Sequence, residues 1–105
     1  MDDIAIADNP GAHRFELRKA GDVAAYTEYN LLKDSVMFTH TEVPEAHEGQ
    51  GIGSALIRFA LHSAREGGLK VIPICPFFAA YIRNHPQEQD LLDPAWRLKL
   101  GLSPI

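Results

Sequence analysis

The sequence contains little cysteine, no excess of basic charge and no long hydrophobic run, and each shortage excludes a class of protein. The one cysteine, Cys75, excludes an internal disulfide framework and suits a reducing compartment. The net charge of −4 argues against a general nucleic-acid binder, which usually has a basic excess. No apolar run approaches the ~20 residues that cross a bilayer, and the acidic start differs from a basic export signal. We therefore expect a cytoplasmic protein without a nucleic-acid or membrane partner.

Length and composition predict one domain. A chain of 105 residues can bury a core of its own, and 46% hydrophobic with 23% charged residues is typical of soluble globular proteins. Residues 1–12 are predicted to be a loose lead-in and residues 13–92 to form the domain. Residues 93–105 have no clear period and are expected either to pack loosely or to cover an apolar patch through Trp96.

The first half of the domain is predicted to be a β-meander. From residue 13 onward, apolar and polar residues alternate, with Phe15 and Leu17 on one face, as in a half-buried strand. Turn signals at Gly21-Asp22 and Lys33-Asp34 separate this strand from two more, at 23–32 and 35–43. Strands joined by such short links pair antiparallel.

The second half changes to helical spacing, and the helix ends at Gly67-Gly68. The apolar stretch 69–75 predicts a strand parallel to the preceding one, because a helix crosses over between them. Pro76 starts a second helix that ends near Asn84. The fold class is therefore α/β (α+β), an antiparallel β-meander followed by a βαβα unit with its last two strands parallel. The core face of the first helix is predicted to comprise Ile52, Leu56, Phe59, Ala60, Ser63 and Ala64.

A glycine-rich run, Glu48-Gly49-Gln50-Gly51-Ile52-Gly53-Ser54, opens the first helix. Glycines let the backbone approach a bulky group, and the first helical turn offers N–H donors without intrahelical acceptors, which favours a bound phosphate. Leu56 stands where a GxGxxG dinucleotide fingerprint needs Gly or Ala, and Ser54-Ala55 stands where a Walker loop needs Lys-Ser/Thr. The alternative is a turn that only joins a strand to a helix.

The order of elements, with this run after Val43-Pro44, resembles the GNAT superfamily of N-acetyltransferases. The run is similar to the acyl-CoA loop Gln/Arg-x-x-Gly-x-Gly/Ala of that superfamily, except that Glu48 occupies the first position. A strand ending in Cys75-Pro76-Phe77 and a helix ending in His85-Pro86 are similar to the short, stand-alone GNAT-like domains. The resemblance covers about residues 13–92.

The resemblance implies acetyl-CoA as cosubstrate, an amine acceptor and no metal. In the superfamily, the third meander strand and the strand after the crossover helix splay apart around the pantetheine arm, which here means between 41–43 and 72–74. Pro73 fits such an opening, or simply an edge strand. Arg58, Arg65, Lys70 and Arg83 are cations that could meet the 3′-phosphate, or are only solvated. The residues implied to contact acetyl-CoA are Val43, Gly49, Gln50, Gly51, Ile52, Gly53, Ser54, Cys75, Pro76, Phe77 and Tyr81.

Four residues are candidates for catalysis: Cys75, His40, Glu42 and Tyr81. Cys75 falls at the N-cap of the second helix, where the helix dipole favours a thiolate, and could accept the acetyl group, line the pocket or merely pack. Direct transfer needs a base, and alternation places His40 and Glu42 on one strand face, with His47 nearby. The resemblance implies an acid role for Tyr81, which could equally pack in the core. The histidines show no metal-ligand spacing.

The sequence therefore predicts an acyl-CoA-dependent N-acetyltransferase, a monomer or weak homodimer, with an unidentified amine acceptor. Two alternatives stay open. One is a non-catalytic acyl-CoA-binding module. The other is an interaction domain that docks a partner through the tail at Trp96.

Overall fold

One five-stranded sheet organises the chain, in the order β1-β2-β3-β4-β5. The computed structural model describes residues 4–44 and 51–102. The strands are β1 Ile4–Asn9, β2 Arg14–Lys19, β3 Asp22–Leu31, β4 Ser35–Glu42 and β5 Lys70–Pro73. The helices are α1 Ile52–Glu66, α2 Pro76–Arg83 and α3 Pro94–Lys99, with short 3-10 helices at Pro10–Ala12 and Pro86–Leu91.

The strand pairing matches the predicted fold class. Strands β1 to β4 are successively antiparallel, whereas β4 and β5, joined through α1, are parallel. The turn predicted at Gly21-Asp22 is shifted by one residue, because Ala20 and Gly21 form it with φ of 52° and 88°. Positive φ at both central residues suits the right-handed twist of a two-residue hairpin. Asp22 belongs to β3.

Residues 4–9 correct the prediction of a loose lead-in over residues 1–12. They form β1, which pairs with β2 from Ile4 opposite Lys19 to Asn9 opposite Arg14. A side-chain bond also ties β1 to β3, since the Tyr29 hydroxyl donates to Asp8 Oδ1 at 2.6 Å. Burial, together with this bond, raises the pKa of Tyr29 to about 12, so the hydroxyl keeps its hydrogen at neutral pH.

The core lies between the sheet and the helices α1 and α2. Phe38 of β4 stacks on Phe78 of α2, with ring centroids 4.1 Å apart and an interplanar angle of 7°. Both rings are fully buried, so they fix the position of α2 on the sheet.

The buried stripe of α1 is rotated from the predicted one. Phe59 is 37% exposed and touches only the rim of the core, edge-on to Phe15. Ile57 and Leu61, which were not predicted, are buried instead. The reason is that α1 contacts α2 and the 3-10 helix at Pro86–Leu91 as well as the sheet. A second neighbour widens the apolar stripe on one side.

The tail is attached to the outer edge of β5. Leu92 forms a parallel bridge with Val71, and the Asp93 N–H donates to the Val71 carbonyl at 3.1 Å. Trp96, in α3, is half-buried against the core. Of the two predicted arrangements, the structure shows the one in which Trp96 covers apolar surface.

The opposite face of the sheet carries a buried carboxylate. Alternation with Phe15 and Leu17 turns Glu16 away from the helices, yet it is only 5% exposed. It accepts bonds from Arg14 Nε at 2.7 Å, Arg18 at 3.1 Å and Asn9 at 3.1 Å. The bond from Arg14, with those from Asn9 and Arg18, holds the pKa of Glu16 below its usual range despite burial.

Replacing Glu16 with Gln is expected to lower the free energy of unfolding by about 1–2 kcal/mol at neutral pH, because the buried, charged acceptor of three hydrogen bonds is lost. A depressed pKa in the folded state contributes stability above the unfolded pKa, and that stability is lost as pH falls through the folded value. The difference between wild type and Glu16→Gln should therefore be constant above about pH 5 and shrink in more acidic solution. Urea unfolding across this range measures it.

Glu66→Gln is the matched control. Glu66 pairs with His62 on α1, but its side chain is 72% exposed, so the loss should stay below about 0.5 kcal/mol. Equal effects of the two substitutions would show that burial of Glu16 adds nothing.

Candidate active site

Strand β4 loses its β5 partner half-way along its length. The parallel pairing runs from Ser35 opposite Lys70 to Phe38 opposite Pro73. The pairing with β3 shifts register after Glu28, which lies opposite His40, while Tyr29 lies opposite Phe38. Thr39 is therefore the extra residue of a β-bulge, a device that bends a strand and increases its twist. We call the opening between Thr39–Glu42 and residues 74–77 the β4–β5 split.

The bulge also reverses which side chains of β4 are buried. Val36 and Phe38 are buried before it, whereas Thr41 is buried after it and His40 and Glu42 are exposed. Simple alternation from Phe38 would instead have buried His40. The predicted placement of His40 and Glu42 on a common face is confirmed by a contact of 3.0 Å between His40 Nε2 and Glu42 Oε2.

The His40–Glu42 contact fixes the histidine tautomer. An ionised carboxylate only accepts, so Nε2 carries the hydrogen and Nδ1 of the neutral ring keeps its lone pair. Both side chains are about half exposed, at 53% and 54%. A groove of about 270 Å³ borders Glu42. Its lining residues are Arg14, Val23, Ala24, Ala25, Tyr26, Glu42 and Pro44.

Helix α1 begins at the same end of the sheet. Gly51 is its N-cap with φ of 75° and offers no side-chain cap. The first intrahelical donor is the Ala55 N–H, bound to the Gly51 carbonyl at 3.0 Å, so the N–H groups of Ile52, Gly53 and Ser54 precede the ladder. A Cβ on Gly53 would lie 3.4 Å from Val43 Cγ2, which places the start of α1 against the end of β4. The predicted contacts Gly49 and Gln50, with Glu48 and His47, lie outside the described residues.

Helix α2 begins across the split. Cys75 is its N-cap, as predicted, and Pro76 its first residue. The Cys75 N–H donates to the Phe38 carbonyl at 2.9 Å, beyond the last strand pair. Phe77, at 51% exposure, and Ile74, at 45%, leave apolar surface beside the split.

Cys75 itself is buried, with 2% of its surface exposed, and its Sγ lies 3.2 Å from Thr41 Oγ1. Thr41 Oγ1 in turn lies 2.9 Å from Thr27 Oγ1, and the Thr27 hydroxyl donates to the His40 carbonyl at 3.2 Å. The sequence singled out neither threonine for a role, because threonine is common in strands and only the phase set by the bulge buries Thr41.

Tyr81 lies about one and a half turns along α2. Its ring stacks on that of His85, with centroids 3.8 Å apart, and the Nδ1–H of His85 donates to the Tyr81 carbonyl at 2.6 Å. The side chain is half-buried against the core.

Two of the four candidate cations lie away from the start of α1. Arg65, in the last turn, bonds Asp90 at 2.7 Å and Glu88 at 3.1 Å, and Lys70 donates to the Asp90 carbonyl at 3.1 Å. These contacts engage Arg65 and Lys70 with the 3-10 helix.

A family described as GCN5-related N-acetyl-transferase matches residues 14–91 of this chain. The chain belongs to that family. Protein NATD1 from Gallus gallus and its counterpart from Homo sapiens are each 37% identical to the chain over 59 residues, or 56% of its length. These alignments cover 54% and 52% of the NATD1 proteins, so the chain spans about half the length of the curated relatives it matches.

Solved structures show the same fold. A GCN5-like protein from Staphylococcus aureus superposes with a TM-score of 0.69 over 89% of this chain and 91% of that one, at 24% identity. The ribosomal-protein-S18-alanine N-acetyltransferase from Escherichia coli superposes with a TM-score of 0.56 over 68% and 64%, at 17% identity. At these identities the likeness shows the fold, which is the predicted one.

Within residues 4–44 and 51–102, no helix has the length and apolar character of a membrane span. The same ranges hold no group of three or more His, Cys, Asp or Glu side chains arranged to bind a metal ion.

Proposed function

We propose that the protein is an N-acetyltransferase that passes the acetyl group of acetyl-CoA to an amine. One observation carries the proposal: the split between β4 and β5 lies at the same end of the sheet as the uncapped start of α1. The split offers a path for an extended thioester arm, and the start of α1 offers N–H donors for phosphate. Membership of the family supports the same conclusion.

The proposed cosubstrate contacts follow from this arrangement. The N–H groups of Ile52, Gly53 and Ser54 would hold the diphosphate, because the positive end of the helix dipole faces it. Gly49 and Gln50 would extend this cradle, and the Val43 N–H would polarise the thioester carbonyl. Pro76, Phe77 and Tyr81 would border the arm. Acetyl-CoA supplies the activated acyl group.

His40 is the proposed general base. Glu42 holds its Nε2–H, which leaves the Nδ1 lone pair to take a proton from the attacking ammonium. A bond then forms between the amine nitrogen and the acetyl carbon while the carbon–sulfur bond breaks. Tyr81 is the proposed acid that gives a proton to the departing thiolate, and the second proton released by the new amide nitrogen restores Tyr81.

The acceptor is proposed to enter through the groove beside Glu42. Its rim carries the Glu42 carboxylate and the Tyr26 ring, over which the Arg14 guanidinium lies at 4.5 Å. A carboxylate next to the proposed base favours a cationic amine, which is drawn to the site by charge.

Gly51→Val is expected to weaken acetyl-CoA binding at least about tenfold, because the added side chain would fill space that the structure leaves open at the start of α1. Calorimetric titration with acetyl-CoA measures this. Gly68→Val is the matched control, since Gly68 also has positive φ, at 69°, and open space, but lies just beyond the opposite end of α1.

Both substitutions impose the same kind of backbone strain, of about 1–3 kcal/mol, so circular dichroism should show similar losses of stability. Only Gly51→Val should lose binding. Equal binding by the two variants would contradict the cradle, and the alanine variants allow the same comparison if valine prevents folding.

His40→Asn is expected to lower kcat about 100-fold or more, because asparagine keeps a hydrogen bond but cannot take the proton. Glu42→Gln should lower kcat less, about tenfold, because the histidine loses a charged partner. Release of free thiol in the presence of polyamine, lysine or peptide amine acceptors provides the assay.

A second His–Glu pair on the same chain is the control. His62 Nε2 lies 3.3 Å from Glu66 on the exposed face of α1, and His62→Asn with Glu66→Gln should leave kcat unchanged. If the wild type binds acetyl-CoA yet releases no thiol with any of the acceptors, a non-catalytic binding module explains the structure better. Turnover that His40→Asn leaves unchanged would contradict His40 as the base.

A further inference from the structure

A buried chain of hydroxyl and thiol groups crosses the base of the β4–β5 split. It consists of Thr27, Thr41 and Cys75, which are 0%, 4% and 2% exposed. We call it the Thr27–Thr41–Cys75 chain. It lies where the backbone ladder between β4 and β5 has ended, since the last strand pair is Phe38 with Pro73.

Counting hydrogens fixes the direction of every bond in this chain. The His40 carbonyl can only accept, so the one hydroxyl hydrogen of Thr27 is donated to it. Thr27 must then accept from Thr41 in their 2.9 Å contact. The hydrogen of Thr41 is thereby used, and Thr41 accepts the thiol hydrogen of Cys75 at 3.2 Å. The complete set of bonds therefore requires Cys75 as a thiol.

Ionising Cys75 would cost the chain one bond. A thiolate only accepts hydrogen bonds, so the Thr41 hydroxyl would have to donate to it. Thr41 could then no longer donate to Thr27. Either the Thr27–Thr41 bond or the bond from Thr27 to the His40 carbonyl is then lost. The site is buried, and a buried polar group without a hydrogen-bond partner destabilises the folded state. The arrangement opposes a nucleophilic role for Cys75.

We propose that Thr41 and Thr27 are positioning residues and that Cys75 acts with them: the Cys75–Thr41 bond joins the start of α2 to the bulged end of β4 and sets the width of the split. If the Cys75–Thr41 bond is removed, the nearest backbone hydrogen bond between β4 and the start of α2 is the one from the Cys75 N–H to the Phe38 carbonyl. At its other end, the chain holds the peptide of His40, the proposed base. The consequence for catalysis rests on the proposed function.

Two measurements on Thr41→Val, both made without ligand, test whether the Thr27–Thr41–Cys75 chain sets the width of the split. Valine keeps the side-chain volume and suits a strand, but removes the acceptor. The Raman S–H stretching band, which arises from the one cysteine of the chain, should move to the frequency of an unbonded thiol. Amide exchange at the Cys75 N–H should accelerate about tenfold, because the opening becomes easier. Thr41→Ala, which also removes the acceptor of the thiol hydrogen, provides a second variant in case Thr41→Val does not fold.

Thr39→Val is the matched control on the same strand. The Thr39 hydroxyl donates to the Glu28 carbonyl at 3.4 Å and has no part in the chain, so both readouts should stay as in wild type. An unchanged S–H band in Thr41→Val, or equal exchange rates in Thr41→Val and Thr39→Val, would overturn the proposal.

Turnover separates the roles of Cys75. We expect Cys75→Ser to retain acetyl-CoA affinity and kcat within about threefold because serine still donates, whereas Cys75→Ala and Thr41→Val should each lose about fivefold to tenfold in affinity. Thr41→Ser should keep the acetyl-CoA affinity of the wild type, because serine retains the hydroxyl.

Loss of turnover by orders of magnitude in Cys75→Ser would instead show that the Cys75 thiol accepts the acetyl group. Failure of the wild type to bind acetyl-CoA would contradict the proposed function alone. The S–H band and the amide exchange need no ligand, so they would still test the Thr27–Thr41–Cys75 chain.

Discussion

Strand β4 is paired on both edges over Val36–Phe38 and on one edge over His40–Glu42, with a β-bulge at Thr39 between them. Everything proposed for the site depends on this change. The β5 pairing ends next to the bulge, which leaves a split beside the starts of α1 and α2, and the bulge exchanges the buried and exposed faces of the strand. An unbroken sheet would have carried His40 into the core and left no opening.

The separated strand ends need other bonds to hold them in place. Side chains supply these beneath the opening, through the buried Thr27–Thr41–Cys75 chain, while the Phe38–Phe78 stack anchors α2 to the core. Backbone N–H groups are left for a ligand at the start of α1, where Gly51 provides no cap of its own. A small domain can thus keep its frame and still leave an opening, where we propose that the extended cosubstrate binds.

Pro76 at a first helical position sufficed to place Cys75 at the N-cap of α2, and sequence periodicity sufficed for the meander and the crossover helix. Periodicity failed at β1, because Ala5 and Ala7 have low strand propensity and the strand is ordered by its pairing with β2. Periodicity also failed to predict that Glu16 is buried, because its burial depends on the side chains of Arg14 and Arg18, which bond its carboxylate. The burial of Thr41, and so its contact with Cys75, could not be predicted from alternation. The bulge residue Thr39 exchanges the buried and exposed faces of β4.

A titration of ¹⁵N-labelled protein with acetyl-CoA, followed by amide chemical shifts, measures directly whether the split and the start of α1 bind the cosubstrate. We expect saturable changes concentrated at Val43, at residues 51–54 and at Cys75 and Phe77, on the two sides of the split. Absence of saturable changes at millimolar ligand, or changes confined to the outer edge of β5 around α3, would show that acetyl-CoA does not bind in the split.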